Sequence, residues 1–128
     1  MSRSGYEETE DQWADIRWRG AVKSAIRGVR GQSLLREMLA GLDAMPEKIL
    51  IAKELEENGE YCALGVVGRN RGLDLSAVDP DDCMEVAGVF GVAEALAAEI
   101  ADINDMTNRT TAERWIYVRK WVADNIIW

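Results

Sequence analysis

The run GEYCALGVVGRNRG, Gly59–Gly72, constrains the fold more than any other stretch. It is the most apolar run with the smallest side chains, and on a helix Gly65, Gly68 and Gly72 fall along one side. Glycine in a helix interior costs about 1 kcal/mol relative to alanine, so three of them demand a packing reason. The stretch is therefore expected to be an inner helix that neighbours approach closely, with Leu64 and Val67 filling its flanks.

The rest of the chain supplies those neighbours. Thr9 and Gln12 have capping-box spacing, with Glu10 and Asp11 placed in a first helical turn. Trp13, Ile16, Trp18, Val22, Ala25, Ile26 and Val29 then recur at three- and four-residue intervals, which predicts one apolar helix side. Arg19, Lys23, Arg27 and Arg30 follow the same rhythm as a basic ridge, and Gly28 and Gly31 loosen the end. Leu34, Leu35, Met38, Leu39 and Leu42 predict a second helix after Gly31, stopped before Pro46, so the two form a hairpin of helices. KILIAK is β-leaning, and the Asn58-Gly59 turn predicts a short β-hairpin within 49–62 that pairs 49–53 with 60–62. Asp79-Pro80 marks a helix start over about 80–89, Phe90-Gly91-Val92 a turn, and Ala93 to Asn104 a helix with Leu96, Ile100 and Ile103 inward. Thr110 and Glu113 form a capping box for a last helix running to the C-terminus through Trp115, Val118, Val122 and Ile126.

The expected fold is mainly α, a bundle of about five to six helices in one domain over 1–128, with residues 1–8 flexible. Two prolines among 128 residues and frequent Ala, Leu, Glu and Arg agree with that. No apolar run approaches the roughly 18 residues of a membrane span, and no signal-peptide pattern is present, so no membrane association and a cytoplasmic location are expected. Histidine is absent and the two cysteines, Cys62 and Cys83, lie 21 residues apart without CxxC spacing. Cys/His and Ser/His/Asp catalysis lack their base, a two-thiolate zinc site is incomplete, and buried free thiols are the expectation. No catalytic residue, metal or cofactor is assigned.

The formal charge of −8 argues against a nucleic-acid coat, yet its distribution matters more than its sum. Residues 16–36 carry Arg17, Arg19, Lys23, Arg27, Arg30 and Arg36 without an acid, and residues 73–106 carry acids without a base. VAGVFGVAEALAAEI has the layout of a helix-turn-helix, but its second helix presents Glu94, Glu99, Asp102 and Asp105, which repel phosphate. That acidic set is read as a solvated face or as a negative surface, imitating DNA, for a protein partner. GVVGRNRG lacks the P-loop lysine, so Arg69 and Arg71 are read as a link to the acidic block rather than a phosphate site. Asp79, Asp81 and Asp82 lack the glycine and distal glutamate of a calcium loop. The ridge Arg19, Lys23, Arg27 and Arg30 is the candidate for tracking a nucleic-acid backbone. Arg114, Tyr117, Trp121 and Trp128 share a flank of the last helix, and these residue types dominate protein interfaces, which makes the flank a candidate partner or homodimer surface.

RWRGAVKSAIRGVRGQSLLREMLAGLDAMPEK, GEYCALGVVGRNRGLDLSAVDPDD, VAGVFGVAEALAAEI and ERWIYVRKWVADNI together resemble a family of small proteins encoded by tailed bacteriophages and prophages. The resemblance runs from about Tyr6 to Ile126, and MTNRTT stands where related phage proteins often carry a longer polar insertion after Asn-Asp. It implies origin and carries no functional residues. Small acidic phage proteins without catalytic groups commonly bind and block a host protein. The expectation is therefore a phage accessory protein acting stoichiometrically on a host protein, such as an inhibitor of a CRISPR or other defence component. The alternatives are a nucleic-acid-associated phage factor using 19–30, and a structural or small-enzyme role.

Overall fold

A computed structural model describes residues 12–106 and 108–128. Helices α1 (Gln12–Arg27) and α2 (Val29–Ala44) are followed by strands β1 (Glu56–Glu57) and β2 (Glu60–Tyr61). Helix α3 (Ala63–Asn70), a 3-10 turn at Leu75–Ala77, α4 (Cys83–Phe90), α5 (Glu94–Asp105) and α6 (Thr111–Asn125) complete the order. The fold is mainly α with one short antiparallel hairpin, as the periodicity predicts. The Thr9–Gln12 box and the expectation for residues 1–8 fall wholly or partly outside the described residues.

Helix α2 is the most regular reader of the 3.6-residue period. Leu34, Leu35, Met38 and Leu42 are all essentially inaccessible and meet α1, α3 and α6. The predicted break at Gly31 lies instead at Gly28, the N-cap of α2. Gly31 is buried in the first turn of α2, where a Cβ would come within 1.9 Å of the Ala25 carbonyl oxygen. It is there for close approach of the α1 end, and not as a hinge.

The Gly59–Gly72 stretch divides. Asn58 and Gly59 both have positive φ, 53° and 79°, which makes a tight two-residue turn. Such a turn pairs only the residues flanking it, so the register is Glu56↔Tyr61 and Glu57↔Glu60, correcting the expected 49–53 pairing. KILIAK instead runs extended beside the hairpin. Ile51 N donates to Tyr61 O at 3.0 Å, and Leu50 N donates to Thr111 O at 3.1 Å. Cys62 then caps α3, its Sγ accepting from Gly65 N at 3.4 Å, and residues 63–68 are buried throughout. Gly65 lies against the Leu55 carbonyl oxygen, which a Cβ would approach to 1.9 Å. Gly72 is outside the helix, with φ 75°, and ends the segment.

Helix α4 starts at Cys83, capped by Asp82, rather than at Asp79-Pro80. The Asp79 carboxylate accepts from Asp81 N across a turn containing Pro80, and Asp82 takes the cap by accepting from Met84 N and Glu85 N. Gly91, in the left-handed region, turns the chain from α4 into α5. Helix α5 is a second inner element, since Ala95 to Ala101 are all buried and it packs on α1, α3, α4 and α6. Ile103 is half-buried at its end. Thr110 and Glu113 form the predicted capping box of α6, but the helix stops at Asn125 and Ile126 is extended.

Two buried polar side chains tie these layers together. Asn104 accepts from Ala63 N at 3.0 Å and donates to Ile51 O at 2.8 Å, joining the end of α5 to the start of α3 and to the KILIAK segment. Arg114 donates to the main-chain oxygens of Asn104, Leu50 and Arg109. Its cation sits at the negative end of the α5 dipole.

Candidate interaction surface

Helix α1 carries two stripes rather than one. At 100° per residue, Ala14, Trp18, Val22 and Ala25 point one way, and Trp13, Ile16, Gly20, Ser24 and Arg27 the other. The first set packs toward α2 and α5, with Val22 fully buried. On the second, Trp13 is 72% exposed and Ile16 55% exposed. The expected single apolar side is thus corrected, because its three- and four-residue intervals mix residues from opposite faces. Val29 also leaves that side, 88% exposed at the start of α2.

The basic ridge is dispersed at one point and intact elsewhere. Arg19 turns to α5 and donates to both carboxylate oxygens of Glu99 at 3.0 Å. Lys23, Arg27 and Arg30 stay exposed and, among the described residues, make no ion pair. Lys23 and Arg27 lie on the same side of α1 as Ile16, and Arg30 follows in the first turn of α2. An open cleft of about 510 Å³ lies where α1 meets α2, lined by Ala21, Ser24, Ala25, Gly28, Arg30 and Ala93 among others.

The proposed acidic set does not form one exposed face. Glu94 is exposed, but Glu99 is buried against Arg19, and Asp102 is half-buried. Asp105 accepts from Lys53 N at 2.9 Å and from the Asn104 amide at 3.0 Å. The cause is the alanine content of α5, which lets neighbours close on every side and draws the acids into local partnerships.

The aromatic flank is likewise separated. Arg114 is only 8% exposed and serves the fold, and Trp121 is half-buried against the core. Tyr117 lies under the Arg109 guanidinium, 3.7 Å from its ring centroid, beside exposed Ile116 and Lys120. Trp128 belongs elsewhere. Because the chain leaves the helix at Ile126, the tail folds along α2, where Gln32 accepts from Ile127 N at 2.8 Å and Arg36 stacks over Trp128 at 5.3 Å.

Arg69 and Arg71 do not reach the carboxylates of 73–106. Arg71 forms a two-pronged pair with Glu37 of α2, at 2.6 and 2.8 Å, and donates to Phe90 O. The Arg71 hydrogen bond holds the Glu37 carboxyl below the usual glutamate range, and the pair raises Arg71. Arg119 does the same to Asp43, joining α6 to α2. Arg69 stacks over Tyr61 at 5.4 Å. Among the described residues no three His, Cys, Asp or Glu side chains are grouped to hold a metal ion, and no helix is long and apolar enough to cross a membrane. Cys62 is buried and Cys83 half-buried.

Gln32, Asn104 and the exposed side of α1 are the residues that pattern reading missed. Only the last had a signal, a second stripe at helical spacing running through Trp13, Ile16 and Gly20. Compared with models of protein families, with curated proteins and with solved structures, the chain matches none.

Proposed function

We propose that this chain acts by stoichiometric binding to another protein through the exposed side of α1 and the corner it makes with α2. The observation that carries the reading is the exposure of Trp13 and Ile16 on the same helix side as Arg27, with Lys23 next to it. Single exposed apolar residues are ordinary on any surface, but a tryptophan and an isoleucine one turn apart beside unpaired cations match the composition of interface anchors. The phage resemblance makes a host protein the expected partner and obstruction of a defence component the expected consequence. No step of chemistry is assigned to it.

Affinity capture from host lysate, followed by mass spectrometry, tests this directly. A single host protein bound at one-to-one stoichiometry is expected. The double variant Trp13→Ala/Ile16→Ala is expected to lose on the order of tenfold or more in affinity, as truncated anchors do. Absence of any partner, or capture indifferent to both substitutions, overturns the reading.

A second reading is favoured by one observation, the exposure of the cations Lys23, Arg27 and Arg30 along the end of α1 and the start of α2. They suit contact with a nucleic-acid backbone. Gel shift at low salt, with and without reversal of all three charges to glutamate, distinguishes it. A structural or small-enzyme role is the third reading, for which a thermal shift on adding divalent metals or nucleotides is the test.

A further inference from the structure

We infer that a cleft on the outer side of α6 seats a protein segment carrying an aspartate or glutamate next to an apolar side chain. Glu113, Ile116, Tyr117 and Lys120 follow one another at three- and four-residue intervals, so they share one side of α6. With Asn108 and Arg109 from the preceding loop they line an open cleft of about 420 Å³. The cleft belongs to α6 and not to α1, and it rests on the protein-binding reading above only in that its occupant is a protein.

The loop sets a cation over the cleft. Asn108 lies in the left-handed region with φ 63°, and the Arg109 carbonyl accepts from buried Arg114 at 3.4 Å, which ties down the main chain. The half-buried Arg109 guanidinium lies 3.7 Å from the centroid of the Tyr117 ring. Stacking uses the face of a guanidinium and leaves its in-plane N–H groups for other partners. Among the described residues those groups make no hydrogen bond and no ion pair. A carboxylate fits such a planar fork with two parallel bonds. Because the ring already holds the guanidinium, less side-chain freedom is lost on binding than for an unstacked arginine.

The remaining lining residues define what accompanies that carboxylate. Ile116 is 64% exposed and, with the Tyr117 ring, gives the cleft its apolar part. An apolar side chain seated there excludes water and strengthens the charged hydrogen bonds beside it. The two other charges in the cleft are already engaged. Lys120 pairs with Asp124 one turn on, and the Glu113 carboxylate accepts from Thr110 N at 2.9 Å. A run of phosphates would meet the carboxylates of Glu113 and Asp124 as well as Arg109, whereas a single carboxylate needs Arg109 alone. That charge pattern selects a protein segment over a nucleic acid.

The test pans a displayed library of random peptides against the full chain. Enriched sequences are expected to carry aspartate or glutamate beside a large apolar residue. Their synthetic versions are expected to bind Arg109→Gln on the order of tenfold more weakly, and Arg109→Lys nearly as weakly, because lysine keeps the charge but not the fork. Replacing the peptide's acid by its amide is expected to cost as much, and to cost nothing further in Arg109→Gln, the non-additivity of a direct contact. Arg109 serves the fold through its carbonyl and Ile116 is mostly exposed, so Arg109→Gln and Ile116→Ala are expected to melt close to wild type, with Ile116→Ala also binding the peptide more weakly. No enrichment, enrichment without acids, equal binding by Arg109→Gln, or displacement of the peptides by a single-stranded oligonucleotide overturns the inference. If lysate yields a partner that depends on Trp13 and Ile16 while no acidic peptide is enriched, the cleft assignment fails and the α1 reading stands. If acidic peptides bind through Arg109 while lysate yields no partner, the α1 reading fails and the cleft stands.

Discussion

Arg19 on α1 and Glu99 on α5, 80 residues apart, form a two-pronged ion pair with both contacts at 3.0 Å. Its two ends differ, because the Glu99 side chain is 10% exposed and that of Arg19 is 49% exposed. Removing the buried partner deletes an awkward charge, whereas removing the outer one leaves a buried carboxylate without the two Arg19 donors. Arg19→Met is therefore expected to destabilise the fold by about 1–3 kcal/mol, and Glu99→Gln by less. Urea denaturation of the single and double variants checks it. Equal losses in the two single variants would contradict the asymmetry.

Asn104 is the polar counterpart in the interior. It is 1% exposed, and its amide serves Ala63 N and Ile51 O at once. Asn104→Leu preserves approximate volume but strands both backbone groups, each costing roughly 1–3 kcal/mol when buried without a partner. A loss of about 2–4 kcal/mol is expected. Hydrogen exchange gives the sharper readout, since the Ala63 amide should lose protection in the variant well before amides in the middle of α2.

How far such features could be read beforehand depends on how local their cause is. The apolar run of α2, the capping box of α6 and the Asn58-Gly59 turn are set by neighbours in the chain, and they stand where the pattern puts them. The strand pairing differs from the pattern although the turn stands, because turn length fixes the register at Glu56↔Tyr61 and leaves KILIAK beside it, with Ile51 N donating to Tyr61 O. Charged residues were harder. Arg19, Glu99 and Arg114 acquire their roles from partners distant in sequence, and nothing in their local spacing separates them from Lys23 or Glu94. For α5 a cue did exist. Four alanines spread round EALAAEIA allow burial on all sides, which outweighs the amphipathic appearance given by Glu94, Glu99, Asp102 and Asp105. The candidate surface on α1 was hidden for a related reason, since two apolar stripes on one short helix read as one.

Arg114 makes a clean test of structural against interfacial use. All three of its acceptors are main-chain oxygens, on Asn104, Leu50 and Arg109. Lysine retains the charge but cannot reproduce the planar fork. Arg114→Lys is expected to lower stability by about 1–3 kcal/mol while leaving partner capture unchanged at temperatures where it remains folded. Tyr117→Ala, beside it on α6 and half-buried under Arg109, is expected to cost less stability. Thermal melts paired with the capture assay separate the two roles, and loss of capture in folded Arg114→Lys would return this residue to the binding surface.

The paired carboxylates on α2 contribute to acid sensitivity. Arg71 lowers the Glu37 carboxyl through its hydrogen bond, and Arg119 lowers Asp43 in the same way. A carboxyl depressed in the folded state binds fewer protons there than in the unfolded chain, so its contribution is complete at neutral pH. It is lost as pH falls through and below the ordinary carboxylate range, when the unfolded and then the folded group take up protons. Glu37 is roughly one-third exposed and Asp43 more so, which places the larger share of the pH dependence on Glu37. Urea midpoints measured between about pH 7 and about pH 3 are expected to fall less steeply in Arg71→Leu than in the wild type, starting from a lower value at neutral pH. The Arg119→Leu slope is expected to change less. Salt gives an independent check, because a partly exposed pair is screened, so added salt at neutral pH should narrow the gap between wild type and Arg71→Leu. A wild-type slope unchanged by Arg71→Leu would show that Glu37 does not couple α2 to α3 through its charge.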